Sequence, residues 1–435
     1  VSNANDTPSV GILGLGYVGL PLSAAFARAG VRVLGFDIDP VKIDSLRAGR
    51  SYLTHLGPSF AADLLGTRRF EPTSDFARLG EPDALLICVP TPLDEQRDPD
   101  LSAVERTTRA IAATLRPGQL VVLESTTYPG TTRDVVLPIL EATGLRHGTD
   151  FLLAFSPERE NPGGGVETSR IPKLVGGITQ PATHAAATLY ERAFDRVVPV
   201  SSAEVAEAAK LLENIYRAVN IAMVNEMKLV LTAMSIDVHE VIEAAATKPF
   251  GFQRFDPGPG LGGHCIPIDP FYLSWKARQV GQPTRFIELA GEVNHAMPAW
   301  VIGRLEAALG RRGRAVCGAG VLVLGLAYKK DVDDVRESPA FEIIAMLLER
   351  GASVSYHDPH VPATHAGRRH DLGMRSIELT DRALGEADAV VIVTDHRWYA
   401  ERFGWQRVAD HARLVIDTRN AMRSALPGRA EIVKA

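Results

Sequence analysis

Short apolar runs alternate with stretches of helical periodicity along most of the chain. Val10–Leu13 is the first run, and a helical pattern continues from it to residue 29. Further runs occupy 31–36, 84–89, 120–123 and 151–155. Unbroken runs of this length, each separated by a helix, predict buried parallel strands. From 202 to about 246 the period changes. In AEAAKLLENIYRAVNIAMVNEMKLVL apolar residues recur every three or four positions without Gly or Pro, which predicts a long helix. Residues 286–310 read as a second one. A strand at 320–325 and a helix to residue 350 then resume the first pattern.

The resumption is a repeat. ARAGVRVLGFDIDP pairs with LERGASVSYHDPHVP, PDALLICVPT with ADAVVIVTDH, and LVVLEST with RLVIDTR, all in the same order. The expected fold is therefore α/β: two doubly wound Rossmann-like domains joined by a central helical domain. The boundaries read as 8–201, 202–312 and 313–435.

A length of 435 residues requires more than one core. With 46% apolar and 23% charged residues the composition is that of a soluble globular protein. The net charge of −5 argues against a general affinity for nucleic acid. No apolar run approaches the roughly 18 residues of a membrane span, so no membrane partner is expected. Cys88, Cys265 and Cys317 are odd in number and far apart. They form neither a disulfide framework nor a zinc pattern, no metal is expected, and a reducing cytoplasmic location fits. Cys88 falls inside a strand and reads as core; Cys317 precedes a strand and reads as structural.

The first strand runs into Gly14-Leu-Gly16-Tyr17-Val18-Gly19 and then a helix; the second strand ends at Asp37. This is a dinucleotide fingerprint in its required setting. Gly14 makes the turn, Gly16 admits the pyrophosphate, Gly19 lets helix and strand pack, and the helix N-terminus faces the phosphates. Asp37 accepts from a ribose hydroxyl and repels a 2′-phosphate, so the cofactor expected is NAD. Lys42, one turn into the next helix, is a candidate for the adenosine side. Pro90 and Thr91 follow the 84–89 strand, and Thr126 follows the 120–123 strand. In an open parallel sheet such strand ends gather ligands. Glu158, Arg159 and Glu160 follow the fifth strand in the same way.

PGPGLGGHCIPIDPFY, residues 257–272, is neither helix nor strand: only Leu261 among 257–263 is neither Gly nor Pro. Gly258, Gly260 and Gly262 suit a loop lying close against something bulky. Cys265 stands at its end, with Asp269 four residues on. A core cysteine needs no such backbone, so the loop favours a nucleophile with a carboxylate partner. Lys210 and Asn214 share one helical face. Lys329, Lys330 and Arg336 lie in the first turn of the second α/β repeat.

Together these stretches resemble the nucleotide-sugar 6-dehydrogenases, the UDP-glucose/GDP-mannose dehydrogenase family. The resemblance runs from about Ser9 to Ser424 and rests on GGHC-x3-D, GLGYVGLP, the Ser-Thr after Glu124, Ser156-Pro-Glu158, the Lys210–Asn214 spacing and YKKDVDDVRESP. The HCIPIDPFYL wording is closest to the UDP-N-acetylglucosamine and UDP-N-acetylhexosamine branch. His264 and Ile268 stand where many UDP-glucose members have Ser and Lys. The resemblance implies oxidation of a sugar C6 alcohol to the carboxylate with two NAD reduced. It implies Cys265 as nucleophile and Lys210 with Asn214 as oxyanion stabilisers. Asp269 and Glu158 become acid–base groups, and Thr126 holds a water. It further implies Lys329 on the nucleotide sugar and Arg336 on the NAD phosphates, with Arg159, Glu160 and the glycine loop around the substrate. The implied partner is a nucleoside-diphosphate hexose. A homodimer or larger assembly joined through the long helix is expected from that helix's broad apolar pattern.

Three other readings are open at this stage, the first being the same reaction on UDP-glucose or dTDP-glucose. A two-electron NAD dehydrogenase with a Lys–Asn pair needs no cysteine and reduces one NAD per substrate. A nucleotide-binding scaffold reduces none.

Overall fold

The structure is a computed structural model that describes residues 8–53, 56–94, 98–159, 167–263, 268–364 and 372–435. The chain divides into two compact units, Val1–Glu213 with Phe271–Pro283, and Asn214–Pro270 with Thr284–Ala435.

The first unit holds strands β1 (Val10–Leu13), β2 (Val33–Phe36), β3 (Phe70–Thr73), β4 (Ala84–Ile87), β5 (Leu120–Leu123), β6 (Leu152–Phe155), β7 (Lys173–Gly177) and β8 (Val197–Pro199). Its helices are α1 (Gly19–Arg28), α2 (Pro40–Arg47), α3 (Phe60–Gly66), α4 (Ser102–Ala112), α5 (Leu137–Glu141) and α6 (Gln180–Tyr190). The sheet order is β3-β2-β1-β4-β5-β6-β7-β8. Among these named strands only β6–β7 pairs antiparallel. Successive strand residues point to opposite faces. Val10, Ile12, Leu86 and Val122 join Phe26 and Leu189 in one core. Leu13, Leu85, Ile87 and Val121 join Val104, Ile111 and Leu140 in the other. Both faces are covered, which is why these strands read as unbroken apolar runs.

β2 starts two residues later than its apolar run. Gly30 takes φ +84° and the Val31 amide donates to the Phe26 carbonyl (3.0 Å), so the α1 terminus claims that residue.

Helix α7 (Ala203–Ala233) begins in the first unit and ends in the second. The helical pattern expected to reach 246 breaks near residue 234. Ser235 takes φ +60°, the Ile236 amide closes back on the Leu231 carbonyl, and Asp237 caps α8 (Val238–Ala245) by accepting from the His239 amide. Later come α9 (Asp269–Gln279) and α10 (Arg285–Arg311).

The second unit's sheet uses β9 (Gly320–Leu324), β10 (Ser353–His357), β11 (Ala389–Ile392), β12 (Leu414–Asp417) and β13 (Glu431–Lys434), ordered β10-β9-β11-β12-β13 and wholly parallel. Helices α11 (Pro339–Glu349), α12 (Asp381–Glu386) and α13 (Trp405–His411) accompany it. Its order matches β2-β1-β4-β5-β6 of the first sheet, and the paired segments of the sequence repeat fall on β4 and β11 and on β5 and β12. Cys88 is buried, as its strand position predicts, whereas Cys317 is exposed beside Gly351.

Candidate active site

The chain leaves β1 at Gly14, which takes φ +96° and places its missing Cβ 2.7 Å from the Cys88 carbonyl oxygen. At Gly19 a Cβ would lie 1.9 Å from the Gly14 carbonyl, so only glycine lets α1 pack on the turn. At Gly16 a Cβ would meet nothing within 4 Å. The turn therefore has an open face where a phosphate can reach the backbone and the start of α1. Tyr17 and Val18 flank that face, half-buried. Asp37 lies just past β2, at the adjacent strand end. The residues present fit NAD.

Asp37 is buried and well held. Its Oδ2 accepts from the Leu15 amide (2.9 Å) and from Lys42 Nζ (3.2 Å), and Oδ1 accepts from the Asp39 amide (3.0 Å). Lys42 thus spends its charge on Asp37, a partner that helix spacing did not disclose. The Tyr52 hydroxyl donates to the Leu15 carbonyl, and burial followed by Asp37 pushes its pKa up. The loops after β4 and β5 are stitched together. Thr91 Oγ1 donates to the Thr126 carbonyl (2.8 Å), Ser125 Oγ to the Val89 carbonyl (2.7 Å), and the Tyr272 hydroxyl to the Thr91 carbonyl (2.5 Å). Pro90 is exposed and Thr126 half-buried at this edge.

β6 delivers Glu158. Burial raises its pKa, while Lys210 and Lys173 pull it down and Glu124 pushes it up. An amine from α7 thus acts electrostatically on an acid from a strand end, both within the first unit. Lys210 itself is 5% exposed. Arg159 pairs with Glu213 (2.7 Å) and donates to the Pro172 carbonyl (2.8 Å). Beneath Glu158, Lys173 Nζ donates to Glu124 Oε2 (2.5 Å) and to the Pro157 carbonyl (3.2 Å), and Tyr190 donates to the other Glu124 oxygen.

In the second unit, Asn214 Nδ2 donates to Asp269 Oδ2 (2.5 Å). The Gly258 amide donates to Asn225 Oδ1 (2.9 Å), and a Cβ on Gly258 would strike Arg419 Nη1 at 2.5 Å. Gly260 takes φ +136°, and a Cβ on Gly262 would lie 2.6 Å from Tyr328 Cβ. The loop lies close against protein side chains. Lys329 is half-buried, and burial followed by Arg217 lowers its pKa. Lys330 pairs with Asp395 (3.0 Å), and Arg336 with Asp334 (2.6 Å). Cys265, His264 and Glu160 lie outside the described residues.

Asp331, His360 and His396 bring ligand-type atoms within 4.8 Å of one another. His396 nevertheless uses both ring nitrogens, Nδ1 on the Asp331 amide (2.9 Å) and Nε2 on Asp358 (3.1 Å), and Asp331 holds Arg397 (2.6 Å). This cluster is a hydrogen-bond network that leaves the imidazole no lone pair for an ion.

Sequence reasoning missed Glu124, Lys173, Glu207 and Arg419. Arg419 had a signal: it follows β12 as Thr126 follows β5. The others are buried through partners far away in the chain.

Three models of the UDP-glucose/GDP-mannose dehydrogenase family match in order: the NAD binding domain over 8–194, the central domain over 204–296 and the UDP binding domain over 322–424. The chain is 36% identical over 390 residues to a UDP-N-acetyl-D-glucosamine 6-dehydrogenase of Pseudomonas aeruginosa, covering 89% of this chain and 90% of that one. Among solved structures it is similar to a UDP-D-ManNAc dehydrogenase from Pyrococcus horikoshii, with a TM-score of 0.88, 32% identity, and 98% and 99% of the two chains covered. It is also similar to a UDP-glucose dehydrogenase from Pyrobaculum islandicum, with a TM-score of 0.87, 28% identity, and 100% and 99% covered.

Proposed function

The chain belongs to the UDP-glucose/GDP-mannose dehydrogenase family, and on that premise we propose that it oxidises the C6 alcohol of a UDP-N-acetylhexosamine to the uronic acid. It is an NAD-dependent nucleotide-sugar dehydrogenase. The preference for an N-acetylated sugar is supported by the HCIPIDPFYL wording and by the names of the relatives in Pseudomonas and Pyrococcus.

NAD, held by Gly14, Gly16, Gly19 and Asp37, supplies the hydride acceptor for both oxidations. The Cys265 thiolate adds to the C6 aldehyde, so that the carbonyl carbon becomes an alcohol-like centre able to lose hydride again. The resulting thioester is released by water. Lys210, with Asn214, stabilises oxygen as it gains negative charge. Glu158 is a candidate to take and give the proton, and burial raises its pKa above the ordinary carboxylate value. Asp269 is held at a fixed angle by Asn214 and shares the acid–base work, and Thr126 holds a water. Lys329, Arg159 and the Gly258–Gly260–Gly262 backbone contact the nucleotide sugar. Arg336 serves the NAD phosphates.

The observation that carries the reading is that Lys210, from an element about 50 residues later in the chain, acts electrostatically on the Glu158 carboxyl within the first unit. A proton-transfer group beside a buried amine suits alcohol oxidation and has no use in a scaffold. The test is NADH yield across a panel of UDP- and dTDP-hexoses. Two NADH per UDP-N-acetylhexosamine are expected. One NADH per substrate supports the two-electron reading instead, and none with any hexose removes the proposal. We further propose a homodimer or larger assembly through α7.

A further inference from the structure

We propose that Glu207 is a positioning residue that clamps the loop after β5 to helix α7, and thereby holds Thr126 and Lys210 in register for the reaction. The inference rests on the roles proposed above for those two residues. Glu207 is fully buried on α7, one turn before Lys210. Its Oε2 accepts from the Gly130 amide (2.6 Å); its Oε1 accepts from the Thr132 amide (2.9 Å) and the Thr132 hydroxyl (2.7 Å). Three donors converge on one carboxylate, and all three come from the end of the loop that carries Thr126.

The geometry requires the ionised form. A protonated carboxyl presents an O–H of its own to donors that need acceptors. Burial pushes the Glu207 pKa up to about 7, against the pull of Thr132 and Gly130. The charged groups around it are mostly engaged with one another. Glu204, which raises its pKa slightly further, pairs with Arg133 (2.5 Å), and Asp134 pairs with Lys276 (3.5 Å). Lys276 also sits over the Tyr128 ring, and the Tyr128 hydroxyl is kept protonated by burial, with Asp134 and Glu207 adding to the effect. Lys210 lies one turn further along α7. The clamp therefore closes as pH rises through about 7.

The test uses the full-length wild type, Glu207→Gln, Glu207→Asp and Lys210→Ala. Amide hydrogen exchange of residues 128–136 is followed at pH 6 and pH 8 and corrected for intrinsic rates. Activity is followed as NADH formation from UDP-N-acetylglucosamine across the same range. Wild-type exchange should be slower at pH 8 than at pH 6. Glu207→Gln should exchange fast at both, lose roughly tenfold or more in kcat with little change in KM for NAD, and lose the ascending limb near neutral pH. Glu207→Asp should recover part of each. Wild-type exchange that does not depend on pH overturns the clamp without any variant having to fold. So does a Glu207→Gln enzyme with wild-type kcat and pH profile when Lys210→Ala is inactive. If Lys210→Ala keeps full activity, the role given to Lys210 fails, and the exchange data still decide the clamp.

Discussion

The amide of Asn214 donates to the carboxylate of Asp269 across 2.5 Å, joining the long helix to the first residue of α9 inside the second unit. Both side chains are nearly inaccessible, at 5% and 2% exposed. The amide cannot rotate away without leaving a buried polar group unpaired. Asp269 is thereby aimed.

The first prediction follows from that pair. Asn214→Ala should lower kcat for NADH formation by roughly tenfold or more, because Asp269 loses a donor that fixes its direction. Asn214→Asp should do more. It sets two carboxylates against each other, and one of them must hold a proton well into the neutral range. The acid limb of the pH–rate profile should then move upward. A profile superimposable on wild type would separate this pair from the chemistry.

Cofactor choice depends on Asp37. Its carboxylate stands at the strand end where a ribose 2′-oxygen is expected, with Lys42 Nζ 3.2 Å away. NADP should give a kcat/KM lower than that of NAD by roughly a hundredfold. Asp37→Asn should narrow the gap, and it should also cost about 1–3 kcal/mol of stability, since the Leu15 and Asp39 amides share this acceptor. Comparable kcat/KM for both cofactors in the wild type would refute the assignment.

The two sheets and the dinucleotide turn were legible because their signals are local. A strand buried on both faces must read as an apolar run, and only glycine survives where a Cβ would lie 1.9 Å from a carbonyl oxygen. Glu207 and Lys173 were not legible. An acid on an apolar helix, or a lysine at a strand start, ordinarily faces solvent. Glu207 is buried because a loop from about 75 positions earlier covers it, and Lys173 because Glu124 and Tyr190 converge on it. Nothing in a short window records such pairings. The same holds for Lys42, whose spacing showed a nearby cation but not that Asp37 holds it.

The Lys173–Glu124 pair supports the strand ends from below. Lys173 lies within 5.1 Å of the Tyr190 ring centroid and 5.6 Å of that of Phe194, and it also holds the carbonyl of Pro157 just before Glu158. Lys173→Met should leave the buried Glu124 carboxyl without its cation and with the Tyr190 hydroxyl as its remaining partner, at a cost of about 3–5 kcal/mol. That corresponds to a melting temperature lower by roughly 10 °C for a unit of this size. Adding Glu124→Gln should recover most of the loss. An unchanged melting temperature in the single variant would show that the pair contributes nothing.

Cys265 tests the covalent step. Cys265→Ser should keep NAD binding, because the cradle of Gly14, Gly16 and Gly19 is elsewhere in the chain. Serine is a poor nucleophile at neutral pH and its ester hydrolyses less readily than a thioester, so uronic acid formation should fall by several orders of magnitude. Sugar retained covalently on the serine would be visible by mass spectrometry of the intact protein. Near-normal uronic acid formation would take Cys265 out of the nucleophile's role.

The last prediction concerns the exposed side of α7. Leu212, Tyr216, Met223, Met227 and Val230 are between 42% and 65% exposed. At about 100° per residue they fall within a sector of roughly 60° along some 27 Å of helix. A second sector, centred about 120° away, carries Leu211, Ile215, Ala218 and Ala222, all buried. The helix is thus apolar on two sides, and one core can cover only one of them. An uncovered apolar stripe of this length is a costly surface to leave in water, and a second copy of the same helix offers a self-complementary partner. Light scattering at micromolar concentration should therefore give at least twice the chain mass. Met223→Glu with Met227→Glu should shift the population to monomer, because each copy would bring two buried charges to a symmetric contact. NAD binding should survive, since Gly14–Gly19 and Asp37 are not on this helix. A wild-type chain that scatters as a monomer would show that the stripe is left uncovered.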